Sequence, residues 1–188
     1  MRTASKSFYQ KIIKRILEQL KTSDEVCEVA AGTGNISLKI SEKVKHIELC
    51  DYSNNMVVKA KNKIKRQNIS NITCSVQDAE NLNFPKESFD AVIISNALHI
   101  MPHPEAALDS IKNILKKDGI LICPTFMAGE NIISRFVSSL MRISGFKAYH
   151  KWSSSKFVEF IKSEGFKIKD VKIYKGILPL VFITAKKL

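Results

Sequence analysis

A carboxylate and two glycines share the stretch EVAAGTG (28–34): Glu28 stands four residues ahead of Gly32, and Gly34 follows two later. Glycine has no side chain to hold a ligand off, so such a loop brings backbone amides against a bound molecule. GTGNIS (32–37) reads G-x-G-x-x-S, one glycine short of the dinucleotide fingerprint. Asp51 lies 19 residues after Gly32, the distance at which an acid ending the next strand takes ribose hydroxyls. Asp78, Asn96, Ala97 and His99 come later, each shortly after an apolar run. Loop residues placed just after strands are where a fold of alternating strands and helices would hold a ligand, and a dinucleotide is the first candidate, though a lone near-match to its fingerprint is weak evidence.

The elements that must position these residues alternate. Residues 8–20 form an amphipathic helix on Ile12, Ile13, Ile16, Leu17 and Leu20. Residues 25–30 are a strand, then the glycine loop, then a helix marked by Ile36 and Ile40. A strand over 46–50 leads to a helix over 54–66 with Ser53 as N-cap. Strands follow over 72–76 and 89–95, then a helix over 105–116 with Ala107, Leu108, Ile111 and Leu115 inward. Asp118-Gly119 turns into a strand over 120–123; residues 126–152 read as helical, and 153–165 as a helix stopped by Gly165. Runs over 167–174 and 178–186 flank Lys175-Gly176 as an antiparallel hairpin. Such alternation predicts an α/β fold of one domain, a mostly parallel sheet with helices on both faces, binding ligands at the strands' carboxyl ends.

Three features do not belong to a dinucleotide fold: Glu28 inside the first strand, QDAENLNF (77–84) after the third, and the terminal hairpin. All three resemble the class I S-adenosylmethionine-dependent methyltransferases. EVAAGTG is similar to that family's first motif, and Asp51 in ELCDYS to the acid ending its second strand. QDAENLNFPKESFDAVIISNALH resembles the next two motifs run together, and LKKDGILI the turn into the fifth strand. The match spans residues 24–126, is nearest to the ubiquinone/menaquinone-biosynthesis type, and implies a Rossmann-like seven-stranded sheet. It divides the chain into an amino-terminal helix (1–23), a cofactor core (24–125), a helical insertion or lid (126–152) and a terminal helix and hairpin (153–188).

The resemblance implies S-adenosylmethionine as cofactor and S-adenosylhomocysteine as product. It assigns Ala30, Ala31, Gly32, Thr33 and Gly34 to the loop under the methionine portion, with Glu28 anchoring the loop and reaching the ligand's amino group through water. Where the family usually has glycine, this chain has Ala30, which narrows the loop. Asp51 takes the ribose, Asp78 and the Ala79 amide the adenine, and Tyr52 and Met56 pack on both. Asn96 and Ala97 lie beside the methionine tail and reactive methyl. His99, in NALHIMPHP, is the expected base or substrate contact, ahead of His103 and His150. Tyr9 is placed to close over the cofactor. A nucleophile attacking a sulfonium methyl expels a neutral thioether, so alignment and exclusion of water are the main requirements.

The acceptor is read by elimination. No Asn/Asp-Pro-Pro-aromatic run follows the fourth strand, and Cys123-Pro124 is the reverse of a Pro-Cys nucleophile. Nucleic acid is therefore disfavoured; a small-molecule or lipid-like acceptor is expected, with RNA, protein or a silent cofactor-binding role as alternatives. Apolar residues from Phe126 to Phe146 suit an amphiphilic acceptor. The net charge of +12 allows a peripheral anionic membrane contact, but 25 lysines against 5 arginines, spread evenly, also fit plain compositional bias. Among 188 residues, no apolar run reaches the length of a membrane span, and MRTASKSFYQK lacks an apolar signal core, so a cytoplasmic protein is expected. Cys27, Cys50, Cys74 and Cys123 form no CxxC pair; buried reduced thiols and no metal are expected.

Overall fold

The computed structural model describes residues 2–127, 129–130, 149–176 and 179–188. In chain order the elements are α1 (Arg2–Leu17), β1 (Glu25–Val29), α2 (Ser37–Ile40), β2 (His46–Asp51), α3 (Asn54–Arg66), β3 (Ile72–Val76), β4 (Phe89–Ile94), α4 (Pro104–Ile114), β5 (Leu115–Phe126), α5 (Ser154–Ser163), β6 (Phe166–Tyr174) and β7 (Leu180–Lys187). The strands form one seven-stranded sheet in the order β3-β2-β1-β4-β5-β7-β6. β1 to β5 pair in parallel; β7 lies antiparallel between β5 and β6.

Successive strand residues point to opposite faces, and here both faces are apolar. Val26, Ile47, Leu49, Ile93 and Phe182 pack under α1, α2 and α3 against Ile12, Ile16, Ile40, Ala60 and Ile64. Cys27, Val29, Val92, Ile94, Leu121 and Ile183 pack on the other face against Ala107, Leu108 and Ile111 of α4 and Phe157 and Ile161 of α5. The central strands are thus covered on both sides, as expected from their unbroken apolar runs.

Several boundaries differ from the sequence reading. α1 ends at Leu17, yet Leu20 remains buried in the turn beyond it. The helix after the glycine loop is a single turn, followed by a 3-10 turn over Ser41–Lys43. Leu115 is not on a helix face: it opens β5 opposite Phe89. The Asp118-Gly119 turn signal sits inside β5, where the register shifts before Ala91 meets Ile120. A bulge there absorbs the extra residues. Cys27, Cys50 and Cys123 are buried free thiols, whereas Cys74, near the β3 edge, is only half-buried. Residues 128 and 131–148, most of the segment read as a helical lid, lie outside the described residues. Among the described residues, no helix is long and apolar enough to cross a membrane.

Candidate active site

Strand order reverses between β1 and β4. Val29 pairs with Cys50 on one side and Ile94 on the other, so the loops after β1, β2 and β4 emerge level at one end of the sheet. A crevice forms there because neighbouring connections leave in opposite directions. A cleft of about 460 Å³ occupies this end, lined by Ala30, Tyr52, Asp78, Ala79, Ala97 and Met101 among others.

The loop after β1 is shaped by three consecutive left-handed positions at alternate residues: Ala30 at φ 52°, Gly32 at 57° and Gly34 at 73°. The two glycines serve different ends. A Cβ on Gly34 would come within 2.5 Å of the Leu49 side chain, so this position is closed by the core. A Cβ on Gly32 would meet nothing within 4 Å, so its bare backbone faces open space. Ala30 adopts the same conformation with a methyl group in the way, which costs about 1–2 kcal/mol relative to glycine's freedom.

Asp51 ends β2 and is held from two sides. The Gly32 amide donates to Oδ2 at 2.7 Å and the Ser53 amide to Oδ1 at 2.9 Å. Each carboxylate oxygen accepts more than one hydrogen bond, so acceptor capacity remains on both. Glu28, buried in β1, accepts from the Ser37 amide at 2.9 Å and from the Ser37 hydroxyl. It thereby ties the far end of the loop to the strand. Burial lifts its carboxyl to about 7 against the pull of the Ser37 bonds, and the Asp51 charge adds to the rise. Tyr9 of α1 is raised to about 12 by burial and by the charge of Glu28, which places its hydroxyl in the field of that carboxylate.

Lys63 of α3 clamps the outer side of the loop. Its ammonium donates to the Thr33 carbonyl at 3.1 Å, the Thr33 hydroxyl at 2.7 Å and Asn35 Oδ1 at 2.8 Å. The Ala31 amide donates to the Cys50 carbonyl at 2.9 Å and joins the loop to β2. On the other side of the cleft Asn96, at φ 54°, uses its side-chain oxygen to accept from the Phe126 amide at 2.9 Å. Its backbone N–H donates to the Pro124 carbonyl at 3.0 Å, so Asn96 braces the β4 end against β5. Asp78 is exposed at the cleft, its Oδ1 accepting from the Glu80 amide at 3.0 Å.

The expected residues therefore divide. Ala30, Tyr52, Asp78, Ala79 and Ala97 share the cleft lining. Gly32 and Asp51, joined to each other, and Glu28, Ala31, Thr33, Gly34 and Asn96 lie outside that lining, in the strand ends and loops that carry it. Met56, 37% exposed on α3, is not part of the lining. His99 is also absent from it, sitting buried in the 3-10 turn Leu98–Ile100. Its carbonyl accepts from the amides of Tyr149 and His150 at 2.9 and 3.1 Å. Burial, then the neighbouring His150, lowers its imidazole to about 4. An imidazole so lowered is neutral at pH 7. His103 is exposed near Glu105, and His150 stacks on Trp152 at 4.8 Å. Sequence reading missed Lys63, which only looked like one more lysine on a polar helix face. It also missed Gln77, Ile100, Met101 and Pro102, which flank motif residues and line the cleft.

The model of the methyltransferase domain family matches residues 26–119, half of the chain. The demethylmenaquinone methyltransferase of Alkalihalophilus pseudofirmus is 25% identical, across 91% of this chain and 81% of its own length. The ubiquinone/menaquinone biosynthesis C-methyltransferase UbiE of Zymomonas mobilis is 28% identical over 76% of this chain, which spans about half (54%) of that relative. Among solved structures, the YcgJ protein of Bacillus subtilis superposes with a TM-score of 0.82 at 17% identity, covering 95% of this chain and 98% of that one. That likeness supports the fold. The chain belongs to the methyltransferase domain family, within the class I S-adenosylmethionine-dependent methyltransferases.

Proposed function

We propose that this methyltransferase uses the cleft at the β1–β4 switch point to hold S-adenosylmethionine and methylates a small, apolar or amphiphilic acceptor of the quinone-precursor kind. The observation that carries the cofactor reading is the Gly32–Asp51 pair: a loop whose Cβ position is open, locked by its amide to a carboxylate with acceptor capacity to spare. A ribose edge fits that pair. The cofactor supplies an electrophilic methyl group on a sulfonium.

The chain's own residues then have these parts. Asp51 accepts the ribose hydroxyls, with Gly32 and Ser53 fixing its plane. Asp78 accepts from the adenine amine, the Ala79 amide serves the ring, and Tyr52 and Met101 cover its faces. Ala30, Ala31, Gly32, Thr33 and Gly34 form the floor under the methionine portion, stiffened by Glu28 below and Lys63 outside. Ala97 borders the methyl, and Asn96 keeps that wall attached to β5. No group of three His, Cys, Asp or Glu among the described residues is arranged for a metal ion. Because the leaving thioether is neutral, the protein's work is orientation and exclusion of water.

The acceptor reading rests on two supports. The similar proteins are named for menaquinone and ubiquinone biosynthesis. The cleft lining itself is partly apolar, with Ala30, Ala79, Ala97, Ile100, Met101 and Pro102, which suits an apolar acceptor edge. Transfer of a labelled methyl group from S-adenosylmethionine to a demethylated naphthoquinol, with a short RNA and a histone-like peptide alongside, tests it. Label in the quinol fraction alone is expected. Label in the RNA or peptide, with none in the quinol, overturns the acceptor class.

A further inference from the structure

A second cavity, of about 650 Å³, lies between α1, α2 and α3, at the far end of the glycine loop where Asn35 enters α2. Its lining includes Tyr9, Asn35, Leu38, Lys39, Lys63 and Arg66, and no carboxylate. Lys63 is committed, with three bonds to the loop. Lys39 and Arg66 are exposed and, among the described residues, have no ion-pair partner. Glu18 and Glu42 line an adjoining hollow, together with Lys14, Lys39 and Lys43, rather than this one. Three positive charges around one concave surface repel each other and concentrate field lines in it.

We propose that this groove binds a phosphate ester. The Arg66 guanidinium offers a planar fork and Lys39 a point charge, the two ways proteins hold phosphate oxygens. Asn35 has its oxygen engaged by Lys63, which leaves its amide nitrogen as a further donor. The Tyr9 ring and Leu38 give an apolar wall for the organic part of the ester. A free metabolite and a lipid headgroup present the same chemistry, and both arms belong in the test.

Glycerol 3-phosphate, and vesicles of equal parts phosphatidylcholine and phosphatidylglycerol, are titrated at low salt into the wild-type protein and two double variants. Lys39→Gln/Arg66→Gln removes the groove's free cations; Lys167→Gln/Lys172→Gln removes the same charge from β6. Binding of at least one probe is expected, weakened about tenfold by the groove variant, as loss of charge-assisted contacts implies, and about twofold or less by the β6 variant. Binding of the soluble ester identifies a metabolite site; binding of vesicles alone identifies a membrane-facing site. No binding of either probe, or equal loss in both variants, overturns the proposal. Adenosylhomocysteine titrated into the same samples reports separately on the cofactor site.

Discussion

Gly32 and Gly34 have similar backbone angles and opposite surroundings, so alanine at each should fail differently. Gly34→Ala drives a methyl into Leu49 and should lower stability by about 2–4 kcal/mol, measured by urea unfolding. Gly32→Ala has room and should cost only about 1 kcal/mol of backbone strain, yet place its methyl in the open space proposed for the nucleoside and weaken adenosylhomocysteine binding at least about tenfold. Ala30→Gly should raise stability by less than about 1 kcal/mol, since relief of the left-handed strain is partly offset by the freedom glycine gains on unfolding. The buried ionisable groups carry opposite pH signatures. Glu28, raised to about 7, binds more protons folded than unfolded, so its contribution falls as pH rises from about 4.5 to 7. His99, lowered to about 4, binds fewer when folded, so its contribution grows from about pH 4 to 6.5. The two largely cancel over their common window. Glu28→Gln should therefore unmask stability rising with pH below 6.5, and His99→Gln should unmask stability falling up to pH 7; parallel profiles in thermal melts would contradict these environments. Glu28, Gly32 and Asp51 can be singled out in the sequence because they fall in one short loop and at the end of the next strand, and the structure joins Gly32 to Asp51 and Glu28 to Ser37. Lys63 and the His99–His150 pair cannot, because both arise from contacts between distant segments.

At the scale of elements, α1 is the piece whose attachment is most exposed to test. Ile16 is fully buried, Phe8 stacks on Phe126 at 6.1 Å and meets Tyr174 edge-on at 5.7 Å, and Arg15 pairs with Asp170 while lying 5.4 Å over Phe182. These contacts carry Tyr9 to the edge of the loop. Ile16→Ala should cost about 2–4 kcal/mol, because the site is enclosed. Arg15→Met should cost about 1 kcal/mol or less, because its pair is partly solvated and the methylene stem is retained. Both are checked by urea unfolding, and a larger loss for Arg15 than for Ile16 would show that charge rather than burial docks the helix. The periodic apolar pattern marks α1, α3, α4 and the buried strands in the sequence itself. Leu115 defeated it, since one apolar residue after a helical run fits either the helix's last turn or a strand's first position, and only pairing with Phe89 decides.

For the whole molecule, the short link between β6 and β7 makes them antiparallel neighbours, and with β7 beside β5 the sheet runs β3-β2-β1-β4-β5-β7-β6. That order sets the switch point, and the switch point sets the cleft. The net charge of +12 plays no part in this arrangement; what it does is leave some lysines and arginines without acids, as around the groove by α3. The central claim is that the Gly32–Asp51 pair holds an adenosyl cofactor. Calorimetric titration with adenosylhomocysteine, beside NAD and beside the Asp51→Ala variant, tests it most directly. Micromolar binding of adenosylhomocysteine, none of NAD, and at least about a tenfold loss in the variant are predicted, the last from removal of a charge-assisted acceptor. Absence of adenosylhomocysteine binding in the wild-type protein, or equal binding by the variant, would contradict the account.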